Sequence, residues 1–119
     1  MHKYLITAAA LLLPVAAHAK EPTWEEVRHW ELAYQALNIV DTAQTLDFLD
    51  RGVAHEANPL IGRNPKPLKL IAIKALGGAA HYLLVREVYR HDPKTAKWVA
   101  IASVALQGGV VAANLRFTF

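Results

Sequence analysis

Asn38-Ile39-Val40-Asp41-Thr42-Ala43-Gln44-Thr45-Leu46-Asp47-Phe48-Leu49-Asp50-Arg51-Gly52, with its tail Glu56-Ala57-Asn58-Pro59, is the stretch whose reading decides the fold. It sets carboxylates, amides and hydroxyls inside a run that its flanks mark as a long and otherwise apolar helix. Such groups must find partners elsewhere in the chain or in a ligand.

Working back from this stretch, Thr23-Trp24-Glu25-Glu26 after Pro22 has the pattern of a capping box. The Thr23 hydroxyl accepts from the amide three residues on, and Glu25 and Glu26 suit the positive end of a helix. Nothing breaks the helix before Gly52, which follows Arg51 as a stop signal. Helix 1 is therefore expected over about residues 23–51, with Trp30 to Leu49 apolar enough to enter a bilayer and the Trp30 ring suited to its interface.

Ahead of it, residues 1–19 read as a signal peptide: Lys3, an apolar run from Leu5 to Ala17, then Ala17-His18-Ala19 as an A-x-A cleavage site. An uncleaved anchor is the other reading, and both leave residues 20–30 outside the cytoplasm. Residues 20–119 form the remaining domain.

Working forward, Asn58-Pro59 and Asn64-Pro65 each join a good N-cap to a proline at the first helical position, and the second pair is expected to open helix 2 over about residues 65–90. Asp92-Pro93 repeats the signal and opens helix 3 over about residues 93–115. The apolar middles, Leu70 to Val85 and Trp98 to Ala113, are each about 16 residues or ~24 Å long. Flanking Lys69, Arg86 and Lys97 extend them by snorkelling.

The expected fold is all-α: a signal peptide followed by a three-helix transmembrane bundle in the bacterial inner membrane, with the mature N-terminus periplasmic. Lysine and arginine do not check the orientation, because Arg51, Arg63, Lys66 and Lys69 on one side balance Arg86, Arg90, Lys94 and Lys97 on the other.

Composition supports this class. Of 119 residues, 54% are apolar and only 19% charged, too few polar faces to cover two helices as apolar as helices 2 and 3 in water. The chain has no cysteine, which removes disulfides, thiolate metal sites and cysteine nucleophiles. The formal charge of +3 is scattered among acids, so no nucleic-acid partner is expected. His55-Glu56 lacks a second histidine one turn on, so no metal is expected, and no phosphate or dinucleotide loop implies a cofactor.

At 100° per residue, Asn38, Asp41 and Thr45 share about a 60° arc of helix 1, with Gln44 at its edge. Lys74, Gly78 and His81 share a stripe of helix 2, and Ser103, Gln107 and Asn114 one of helix 3. The economical packing turns these stripes toward one another and the apolar faces toward lipid, pairing Asp41 with Lys74 at similar depth. A seam that merely sets helix register is the plainer reading for His81, Gln107 and Ser103. Asp41 points to function, because a buried carboxylate is a costly way to join two helices.

The combination Asp41-x-x-Gln44-Thr45 and Glu56-x-Asn58-Pro59-Leu60 before two apolar helices resembles a group of small uncharacterised three-helix membrane proteins of bacteria and their phages, over roughly residues 37–115. The resemblance implies a helical membrane architecture and raises interest in Asp41, Gln44, Thr45, Glu56 and Asn58, the last two forming a loop motif with Pro59. It implies no activity.

The leading functional expectation is a binding or accessory protein whose seam and loop engage membrane lipid, a partner membrane protein or a second copy of the chain. Ala105, Gly109 and Ala113, and Ala75 with Ala79, have the small-residue spacing that close helix contact uses. The rivals are an intramembrane enzyme or proton-coupled transporter in which Asp41 and His81 exchange protons, and a soluble periplasmic helical domain.

Overall fold

The structure, a computed structural model, describes residues 20–52 and 65–118. The expected signal peptide and the loop motif Glu56, Asn58 and Pro59 lie outside the described residues. Within them the chain is all-α, with three helices, α1 (Trp24–Arg51), α2 (Pro67–His91) and α3 (Pro93–Thr118), and no strand.

Local chemistry sets each boundary. The Thr23 hydroxyl caps α1 by accepting from Glu26 N at 3.2 Å. The helix closes on Gly52, whose φ of 67° lets its N–H turn back to the carbonyls of Leu49 and Phe48. Helix α2 starts at Pro67, two residues later than the Asn64-Pro65 signal suggests. Lys66 precedes Pro67 and is held extended at φ −66°, ψ 145°, because the proline ring disfavours helical geometry in the residue before it.

The same rule makes the α2–α3 junction a single residue. Asp92, before Pro93, is extended at φ −153°, ψ 93°, closes α2 through its N–H to Val88 O, and caps α3 by accepting from Thr95 N at 3.2 Å and from the Thr95 hydroxyl at 2.7 Å. Helix α3 continues to Thr118, past the expected end near Leu115, since no glycine or proline interrupts Asn114 to Thr118.

The Thr95 hydroxyl, and then its amide, hold the Asp92 carboxyl below its ordinary value of 3.8. A lowered native value stabilises the fold above the ordinary carboxylate range and is lost as pH falls through the native value. Acid unfolding of the solubilised protein should therefore be steepened by this cap. In Asp92→Ala, thermal stability should fall at neutral pH and change less between neutral and acid conditions than in the wild type.

Helices α1 and α3 run in the same direction and pack most extensively on each other, and α2 returns antiparallel beside them. At one end Lys97 lies 3.7 Å from Glu26, and Trp24 packs on Tyr82 and Tyr89 with ring centroids 5.8 and 5.4 Å away. At the other, Phe48 and Phe117 meet edge to face at 5.5 Å, and Arg51 pairs with Asp47 at 2.6 Å. A small apolar core of Val27, Val85, Ala96 and Ala100 lies at the first end, under Trp24, Val88, Tyr89 and Val99.

Beyond that core the usual polarity is reversed. From Trp30 to Ala43 the exposed residues of α1 are Trp30, Leu32, Ala33, Ala36, Ile39, Val40 and Ala43, all apolar, while Glu31 is fully buried and Asp41 is 5% exposed. On α2 every exposed residue between Ile71 and Leu84 is apolar, and on α3 every one between Trp98 and Leu115. Leu76 and Leu106 are 70% and 75% exposed. Helices α2 and α3 are each long and apolar enough to cross a membrane, and only 17% and 6% of their apolar stretches is covered by the bundle.

Candidate functional site

The seam between the helices holds two polar clusters, each drawing side chains from all three helices. The first joins Asp41, Gln44, Lys74 and Asn114. Lys74 Nζ donates to Asp41 Oδ2 at 2.8 Å, and Asn114 Nδ2 donates to Asp41 Oδ1 at 2.8 Å and to Gln44 Oε1 at 3.2 Å. Gln44 Nε2 in turn reaches Val111 O at 3.3 Å. Thr45 bonds back to Asp41 O at 2.8 Å, and Asn38 Nδ2 reaches Lys74 O at 3.1 Å. Each Asp41 oxygen thus has a donor, and the buried charge is both paired and hydrogen-bonded, as such charges must be.

The second cluster lies two to three turns away, toward the start of α1. His81 Nδ1 sits 2.8 Å from both oxygens of Glu31, with the directed hydrogen bond to Oε2. Its Nε2 lies 2.8 Å from Ser103 Oγ. Gln35 Nε2 spans Glu31 Oε2 and Gly78 O, both at 2.8 Å, and the Tyr34 ring stacks on the imidazole with centroids 3.8 Å apart. A Cβ at position 78 would come within 2.8 Å of Gln35 Oε1 and 3.1 Å of Asn38 Nδ2, so a larger residue there would push these two amide ends aside.

Counting protons defines what this cluster can do. The Ser103 hydroxyl donates to Val99 O at 2.8 Å, so with its single proton committed it accepts from His81 Nε2–H. His81 then donates from Nε2, and one proton lies between Nδ1 and the Glu31 carboxyl. When the Ser103 hydroxyl turns from Val99 O to His81 Nε2, the imidazole is neutral and Nε2 becomes the acceptor. The cluster accommodates either protonation state by rotation about one bond.

Between the clusters lies a cavity of about 460 Å³ walled by Tyr34, Asn38, Lys74, His81, Leu84 and Gln107. Gly77 and Ala80 are also in its wall and, like Leu84, are exposed, so it reaches the outer surface of α2. Gln107 Nε2 is buried here without a hydrogen-bond partner. An orphaned buried donor is rare in a native fold and marks a place where an acceptor is wanted.

The structure therefore brings together Asn38, Asp41, Gln44, Thr45 and Lys74 as one network. It places His81 and Gln107 on a cavity next to it. Among the described residues, no three His, Asp or Glu side chains converge as a metal site would require. The small-residue stripes do not serve the internal contacts: Ala75, Ala79, Ala105, Gly109 and Ala113 all face outward.

Sequence reasoning missed Glu31, Tyr34 and Gln35. The signal was present, since Glu31, Gln35, Asn38, Thr42 and Thr45 continue one stripe at helical spacing two turns beyond Asn38. Compared with protein-family models, with curated proteins and with solved structures, the chain matches none.

Proposed function

We propose that the chain is a bacterial inner-membrane protein of three spanning helices, exported by its N-terminal segment, with residues 20–30 periplasmic. Its seam binds the polar part of a membrane amphiphile that enters the cavity through the face of α2. The observation that carries this reading is the reversed polarity of the bundle: apolar side chains cover its outside while Glu31, Asp41, Gln44 and Thr45 are buried. In water this arrangement exposes far more apolar surface than a soluble monomer tolerates, whereas in lipid it is the favourable one.

The cavity suits such a ligand because it offers an unused donor, Gln107 Nε2, beside an apolar outer wall. Accessory binding of a partner membrane protein or a second copy would use the same outer faces, and the loop carrying Glu56, Asn58 and Pro59 joins the proposal from its sequence alone. A soluble periplasmic domain would have the opposite behaviour in fractionation. The chain should remain in the membrane pellet after alkaline extraction, and a phosphatase fused after Phe119 should be inactive, as a cytoplasmic C-terminus requires. Native mass spectrometry of the purified protein should show a bound lipid that Gln107→Leu weakens. Release by osmotic shock would overturn the membrane reading, and a lipid-free protein the binding one.

A further inference from the structure

We infer that Glu31, His81 and Ser103 form a nucleophilic triad that cleaves esters of membrane lipids. The inference takes only its substrate class from the membrane reading. The chemistry rests on an arrangement of side chains supplied by three different helices. A carboxylate holds one imidazole nitrogen at 2.8 Å and a hydroxyl lies 2.8 Å from the other. Hydrogen-bond reach between nucleophile and base, and between base and a third orienting group, is the geometry that activates a serine whatever the fold around it.

The neighbouring groups support the same roles. Tyr34 stacked on the imidazole and Gln35 bonded to Glu31 fix the orientation of base and carboxylate. Glu31 is fully buried, where its charge is most effective on an imidazolium forming beside it. His81 faces the cavity, and so does Gln107, which lies four residues after Ser103 on the same stripe of α3. Its buried, unpartnered Nε2 is the kind of donor that an oxyanion requires. A register seam accounts for paired groups; it does not account for Gln107 Nε2, left without an acceptor on the cavity that His81 also lines, nor for Glu31 Oε1, buried without a hydrogen-bond donor.

The steps balance as an ester hydrolysis. The Ser103 hydroxyl turns from Val99 O, and Oγ bonds to the ester carbonyl carbon as His81 Nε2 takes its proton. The carbonyl electron pair moves to oxygen, where Gln107 Nε2–H donates. Collapse breaks the bond to the alcohol oxygen, which takes the proton from His81 and leaves an ester on Ser103. Water then adds with His81 again as base, and a carboxylic acid and free Ser103 are released. Glu31 remains a carboxylate throughout, holding Nδ1–H.

The test uses the full chain purified in detergent, so it decides this inference whichever way fractionation decides the membrane reading. A long-chain alkyl fluorophosphonate should add one phosphonyl mass at Ser103. The adduct should be lost in Ser103→Ala and slowed by about 100-fold or more in His81→Asn. Because the chain has no cysteine, Ser103→Cys introduces a unique thiol. Its alkylation by N-ethylmaleimide below neutral pH should be about tenfold faster than in the same variant carrying His81→Asn, as expected of a thiolate paired with histidine. Thermal unfolding of each variant checks that it is folded. An unlabelled folded wild type, or a thiol equally reactive with and without His81, would overturn the triad.

Discussion

Replacing Lys74 by methionine is expected to destabilise the solubilised bundle by about 3 kcal/mol or more, and Asp41→Asn in the same chain is expected to restore most of that loss. The pair is largely shielded, with side chains 19% and 7% exposed, and its atoms are 2.8 Å apart. Taking away the cation leaves Asp41 with Asn114 and no countercharge, and an uncompensated buried charge costs about 3–5 kcal/mol. Asp41→Asn alone should cost less than Lys74→Met, since an amide at position 41 still bonds to Asn114 while Lys74 can lift its ammonium toward the cavity. The double variant removes both charges and keeps the volume, a change that is often near neutral. Denaturant unfolding of the two single variants and the double variant gives the coupling directly. Additive losses would mean that Asp41 and Lys74 act separately, leaving the ion pair with no part in joining α1 to α2.

How much of this arrangement is legible in the chain depends on the range over which each signal acts. Caps are local, so Thr23, Gly52 and Asp92-Pro93 place the ends of α1 and the start of α3 directly. The start of α2 is less clear because Pro65 and Pro67 compete, and only the restriction that the second imposes on Lys66 resolves them. Helical spacing identifies which face of each helix is polar, and the facing of Asp41 and Lys74 follows from depth along antiparallel helices. It does not identify the partners across α3, since the rotation of a helix about its axis depends on packing along its whole length. Thus Asn114, not Gln107, completes the Asp41 network. Glu31 is obscured differently: it falls inside the Trp30 to Leu49 stretch that reads as apolar, two turns ahead of the polar stripe that begins at Asn38. Its burial depends on His81, 50 residues away, which has no trace in the local pattern.

The reversed polarity predicts an outcome that separates the membrane from the aqueous reading by its sign. Ile39 is 69% exposed and lies near the middle of the Trp30 to Leu49 segment of α1. On an aqueous surface Ile39→Asp would change stability by no more than about 0.5 kcal/mol and would aid solubility. In a bilayer the same change replaces a favourable residue by an aspartate at mid-depth, for a difference of about 3–4 kcal/mol in insertion. Helix α1 has little margin to absorb it, because Glu31 and Asp41 already lower its apolarity and depend on α2 and α3 for partners. The variant's α1 should therefore remain on the periplasmic side. Helices α2 and α3 would then cross as a hairpin of opposite orientation, and a phosphatase fused after Phe119 should change from inactive to active. Ile39→Leu should leave it inactive. A fusion insensitive to aspartate at position 39 would mean that this face of α1 meets water, and the polar seam would then have to be explained without a membrane around it.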